Sequence, residues 1–160
     1  MSNDSSSEAQ LKTLMKLSLI FDTAGEVLLG KGAPAMMYQA GRDAGCAKPD
    51  TLGRAGDEEE ALQLALNEGG EVWQVERWRE PGRDGLWIED GDRKYTWLIF
   101  RRCPLLSLAR SAGSSLGGML CQALHGYIAG SMESMLGRRA DMKVGHCGPR
   151  ACKILLELRP

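Results

Sequence analysis

At Glu71 the hydrophobic period of the chain changes, and that change limits the folds open to it. Upstream, apolar residues recur at helical spacing, as in Leu11, Leu14, Met15, Leu17 and Leu19 to Phe21. Downstream the period is two, and strands are expected at Val72–Trp78, Leu86–Glu89 and Tyr95–Phe100. Pro81-Gly82 and Asp90-Gly91-Asp92 are the turns between them, and connections this short join antiparallel neighbours. All four tryptophans (Trp73, Trp78, Trp87, Trp97) fall in this region, so at least one sheet face is expected to lie under helices. Helical spacing returns at Leu105–Ala112 and Leu116–Leu136, before a last strand pair at Met142–Val144 and Cys152–Leu158. The expected class is α+β: an antiparallel sheet of about five strands flanked by N-terminal helices and one long C-terminal helix.

Start and stop signals divide the upstream half. Residues 1–8 read as a disordered tail and 9–160 as a single domain, a length that can bury a sizeable core. Ser7-Glu8 can cap the first helix, Gly30 and Gly32 stop it, and Pro34 suits the first turn of a second helix at Ala35–Ala44. Cys46 to Asp50 reads as a turn. Asp57 ahead of Glu58, Glu59 and Glu60 puts negative charge at the start of a third helix, which Gly69-Gly70 ends. Lys plus Arg (20) nearly cancels Asp plus Glu (21), so overall charge supplies no argument for direct binding to nucleic acid or an anionic membrane. No apolar run approaches the ~20 residues of a membrane span, and the opening residues lack the features of a signal peptide, so a cytoplasmic protein is expected.

The chemistry-bearing residues concentrate in the last third. Four of the five cysteines and both histidines lie between Cys103 and Cys152, with seventeen, twenty-five and four residues between successive cysteines. Cys103, Cys121, Cys147 and Cys152 would thus come from separate elements, and thiolate with imidazole suits zinc or an iron–sulfur cluster, His146 or His125 replacing one thiol. The close C-x-x-C pair of zinc ribbons is absent. Pro104, and Gly148-Pro149, would stiffen the backbone beside the sulfurs. Inert core cysteines are the bland alternative, and a thiol redox sensor a further one. Cys121–His125 or Cys147–His146 could be drawn as nucleophile and base, but no acid is placed to orient either ring, so an enzyme is the less favoured reading.

The order of elements carries a resemblance. L-L-G-K-G-A-P-A-M-M-Y-Q-A-G-R-D-A-G at 28–45, then a sheet, a cysteine-bearing Gly-rich helix and G-H-C-G-P-R-A-C-K-I-L-L-E-L, resembles the vinyl-4-reductase, or hydrocarbon-binding, domain. That domain is related in fold to a Golgi-tethering subunit family. The chain is also similar to cysteine-containing output domains of methanogen signalling proteins. The resemblance spans roughly Leu11 to Leu158. It implies a dimer through the N-terminal helices and an aromatic or hydrophobic ligand between helices and sheet. It also implies zinc on Cys121, Cys147 and Cys152, with Val144 standing where the family's glutamate ligand is expected.

Together these readings predict a hydrophobic-ligand sensor or accessory domain, homodimeric, acting through a separate signalling or enzyme partner. Alternatives kept open are an iron–sulfur or thiol sensor, and an enzyme or enzyme accessory in tetrapyrrole vinyl reduction or small-heterocycle hydrolysis. Met36, Met37, Tyr38, Trp97, His125, Tyr127, Gly130 and Met132 are the expected ligand-binding residues. Methionine and aromatic side chains suit an apolar ligand. Gly126 and Gly130 cost the long helix ~1 kcal/mol each unless something must approach closely.

Overall fold

The computed structural model of the chain describes residues 3–47, 53–68, 70–112 and 116–160. The expected turn residues Lys48, Pro49 and Asp50, and the stop at Gly69, lie outside the described residues, as do the side chains of Ser7, Glu8 and Leu11. The fold is the expected α+β class. Helices α1 (Asn3–Leu29) and α2 (Ala33–Cys46) are joined by one 3-10 turn at Gly30–Gly32, and α3 (Glu58–Asn67) follows. Strands β1 (Gln74–Trp78), β2 (Ile88–Asp90) and β3 (Arg93–Arg102) precede α4 (Pro104–Ala112) and α5 (Met119–Leu136). Strands β4 (Arg139–Cys147) and β5 (Cys152–Arg159) close the chain. Helix α1 begins at Asn3, inside the stretch read as a tail. No helix among the described residues is long and apolar enough to cross a membrane.

The sheet is antiparallel, in the order β1-β3-β5-β4, with β1 and β2 sharing one edge of β3 end to end. Alternation decides its faces. Thr96, Leu98 and Phe100 of β3 and Ile154, Leu156 and Leu158 of β5 point inward and are buried. Against them pack Ala61, Leu62 and Ala65 of α3 and Ile128, Ala129, Met132 and Met135 of α5. Asp57 caps α3 as its charge pattern implied, its Oδ1 accepting from Glu60 N–H at 2.8 Å.

Helix α5 is buried nearly all round, because α2 lies across its other side. Glycines make that approach possible, two from each helix and spaced four apart. A Cβ on Gly41 or Gly45 would stand 2.0 Å from Ala123 O or 2.2 Å from Tyr127 O. One on Gly126 or Gly130 would stand 2.0 Å from Tyr38 O or 2.1 Å from Arg42 O. No real side chain tolerates such contacts with backbone, so these glycines let the two helix backbones touch. The Arg42 guanidinium closes the seam on Glu133, donating from Nε at 2.8 Å and from Nη2 at 2.6 Å. Tyr38 reaches past α5 to edge strand β4, where its hydroxyl accepts from Met142 N–H at 2.8 Å and satisfies an edge donor.

Candidate functional site

The four clustered cysteines meet at one place. Cys103 follows β3 and directly precedes α4, Cys121 lies in the first turn of α5, Cys147 ends β4 and Cys152 begins β5. With Phe100, Leu105, Leu106, Leu116, Leu124 and His125 they line a mostly enclosed cavity of about 20 Å³. That is room for about one water. The remaining cysteine, Cys46, stands apart at the end of α2, its thiol 3.5 Å from Gly130 O.

Helix α1 positions the start of α5. Asp22 Oδ1 accepts from Leu120 N–H at 2.8 Å, a cap supplied by a side chain 98 residues earlier in the chain. Gly118, the N-cap residue of α5, leaves space for the carboxylates of Asp22 and Glu26; a Cβ there would meet them at 3.1 and 2.7 Å. Anionic side chains are favoured at this positive end of the helix. Cys121 and His125 follow one turn apart and both reach the cavity.

Among the described residues, His125 is the one buried polar side chain on the cavity wall. It is 6% exposed, its ring centre lies 6.4 Å from that of Phe100, and its Nδ1 has no hydrogen-bond partner among the described residues. Burial pulls its pKa down to about 4, so the ring is neutral at pH 7. The same cause acts on the thiols with the opposite sign. Burial pushes Cys121 up to about 11, with smaller upward contributions from Cys103 and Cys147. Burial, and then the neighbouring Cys147 thiol, push Cys152 up to about 12. Cys121 and Cys152 are therefore protonated at neutral pH, which disfavours either of them as a thiolate nucleophile. No carboxylate bonds to His125 Nδ1 to orient it as a base.

The expected metal residues are divided by the structure. The four thiols share the cavity, whereas His146 is exposed on the hairpin beside Gly148 and does not line it. The donor set suits zinc or an iron–sulfur cluster, but the spacing does not. Among the described residues no three Cys, His, Asp or Glu side chains converge closely enough to hold an ion.

The expected ligand-binding residues are more widely scattered. His125 lines the cavity; the other seven do not. Met36 is 58% exposed on α2, with Met37 and Tyr38 half-buried beside it, Tyr38 bonded to β4. Trp97 lies on the outer sheet face, edge-on to Trp78, and its Nε1–H donates to Glu80 at 2.7 Å. Lys153 sits over both rings, 3.2 Å from the centre of Trp78 and 4.3 Å from that of Trp97. Tyr127 donates to Glu68 at 2.5 Å, Gly130 touches α2, and Met132 is core. Sequence reasoning missed Phe100, Leu105, Leu106, Leu116 and Leu124. The signal available for them was their position two to five residues from a cysteine.

No family model matches the chain, and no curated protein matches it. Solved structures do. One is the phenol-responsive sensory domain of the transcription activator PoxR with phenol, at TM-score 0.59 and 12% identity, covering 91% of this chain and 73% of that one. Another is a trafficking protein particle complex subunit 3 from Naegleria fowleri covalently bound to palmitic acid, at TM-score 0.61 and 13% identity, covering 93% and 97%. At such identities the likeness is one of fold. The chain shares its fold with a phenol-responsive domain and a palmitate-bound subunit, while membership of the vinyl-4-reductase family has no support from these matches.

Proposed function

We propose that the chain is a sensory or accessory domain that binds a small apolar molecule carrying one hydroxyl at the cavity under α4 and α5. The observation that carries this reading is His125: a neutral, buried imidazole with an unpartnered nitrogen on a wall of Phe100, Leu105, Leu106, Leu116 and Leu124. An unmet buried polar atom costs about 1–3 kcal/mol, which a hydroxyl donating to it would recover. The fold supports the reading, since its neighbours include a phenol-responsive domain and a palmitate-bound subunit. A ring-sized ligand needs the 20 Å³ cavity to widen, and α4 is the short element that forms one wall. Phenol is the probe. Calorimetry is expected to show saturable binding to the wild type and at least tenfold weaker binding to His125→Phe, which keeps a ring of similar size and removes the acceptor, with melting temperature retained. Absence of phenol binding to a folded wild type removes the reading.

The four thiols around one cavity favour a second reading, in which Cys103, Cys121, Cys147 and Cys152 close in on zinc or an iron–sulfur cluster. Zinc requires sulfurs at about 2.3 Å, so the side chains would have to move inward. Stoichiometric metal in anaerobically purified protein supports this reading; absence of both metal and acid-labile sulfide rules it out.

Assembly belongs to the same proposal. On α1, Leu14, Leu17, Phe21, Ala24 and Leu28 repeat at spacings of three and four and face away from the domain, Phe21 72% and Leu28 82% exposed. That spacing is the seam of a helix pair, so a second copy is the proposed occupant. Light scattering at micromolar concentration should return twice the chain mass, and Phe21→Glu should return it to one.

A further inference from the structure

Cys147 and Cys152 stand in a relation that none of the other cysteines share. They are direct Cα partners in the β4–β5 register, at the last pair before the turn. Directly opposed residues of an antiparallel pair lie about 4.5–5.5 Å apart at Cα and project to the same face. A disulfide needs roughly 4.4–6.8 Å between Cα atoms. Beyond the pair, Gly148 N–H donates to Ala151 O at 3.0 Å, so the hairpin backbone is already closed around the two residues. Pro149 in the turn restricts it further. Bond formation then requires turning two side chains and no rearrangement of the strands. Cys103 and Cys121 line the same cavity from a strand end and a helix, with no register that pairs them.

We propose that Cys147 and Cys152 form a reversible cross-strand disulfide on exposure to a peroxide, making this hairpin a modification site. All five cysteines are free thiols. The Cys147 sulfur attacks a peroxide oxygen, the O–O bond breaks, the thiol proton passes to the departing hydroxide, and a sulfenic acid remains as the first water leaves. The second sulfur displaces the hydroxyl of that sulfenic acid, the S–S bond forms and a second water leaves. In sum two thiols lose two electrons and two protons, and hydrogen peroxide becomes two waters. A small dithiol returns the two electrons and restores both thiols. The proposal rests on backbone register and holds whatever molecule the cavity takes.

The experiment is a disulfide map of the full chain. Reduced protein is treated with hydrogen peroxide, its remaining thiols are alkylated, and it is digested with trypsin. Cleavage after Lys143, Arg150 and Lys153 puts Cys147 in peptide 144–150 and Cys152 in peptide 151–153. The two peptides are expected as one linked species that reductant separates, while alkylatable thiols fall from five to three per chain. The linkage should persist in Cys103→Ser and Cys121→Ser and vanish in Cys147→Ser. Should Cys147→Ser not fold, the wild-type map decides alone. Five alkylatable thiols after peroxide, or a linkage that includes Cys103 or Cys121, overturns the proposal.

Discussion

The two halves of α5 are built for opposite purposes. From Gly126 onward the helix is packed to contact on every side, with α2 backbone against its glycines and Ile128, Met132 and Met135 in the core. Before Gly126, the same helix carries Cys121, Leu124 and His125 along a cavity wall, and leaves a buried nitrogen without a partner. A helix packed in one half can line a cavity in the other, although each half holds one buried polar atom without a partner among the described residues, Ser131 Oγ and His125 Nδ1. The stability lost at His125 is offset by contacts a turn or two away.

The largest effect expected from that contrast is at the seam. Gly126→Leu puts a side chain where even a Cβ would stand 2.0 Å from Tyr38 O, so the helices must separate. Overpacking of this kind is expected to cost more than about 3 kcal/mol. Thermal unfolding by circular dichroism should lose its cooperative transition or shift far downward. A Gly126→Leu protein that melts like the wild type would break the comparison.

A middle-sized effect is expected from His125. Its folded pKa is lowered to about 4, whereas the unfolded chain has the ordinary value of about 6.5, so between these values the unfolded state binds more protons. Stability is therefore complete above pH 6.5 and falls as pH drops toward 4, by up to about 3 kcal/mol. Replacing the ring in His125→Gln should flatten this part of the curve. Equal slopes for both proteins in denaturant titrations from pH 4 to 7 would show that the ring is not buried neutral.

The smallest effect is expected at Cys46, which is exposed and outside the cavity. Cys46→Ser should change stability by less than about 0.5 kcal/mol, as surface substitutions commonly do. It should also leave phenol binding unchanged. A large effect there would extend the functional half of the helix pair to the far end of α2.

Much of this layout was legible in the sequence, for reasons that differ by region. The change to period two at Glu71 and the Asp90-Gly91-Asp92 turn gave the antiparallel β2–β3 pair, because alternation and turn chemistry are local properties. Pro81-Gly82, by contrast, does not join neighbours: β1 and β2 both pair β3. The cysteines met because an apolar cavity assembled from strand ends and helix starts draws on flanking residues of several elements, and their clustering after Cys103 recorded that. The cavity lining was less legible. Periodicity states which residues share a face, but not which sheet face the helices cover, and Trp97 is on the other one. Gly130 was expected to make room for a ligand, yet its neighbour is Arg42 of α2, 88 positions earlier. Nothing local to either glycine pair names its partner.

The cap at Asp22 has a mechanical consequence. One carboxylate is rooted in α1, whose outer stripe is exposed, and bonded to the first turn of α5, whose inner side bears Cys121 and His125. Neither helix can roll about its axis without dragging or releasing the other at that point. A molecule that pries the start of α5 outward must therefore either carry α1 along or detach it, and in both cases the outer stripe registers the event. That bond acts as a coupling pin between the interior of the domain and an apolar outward surface.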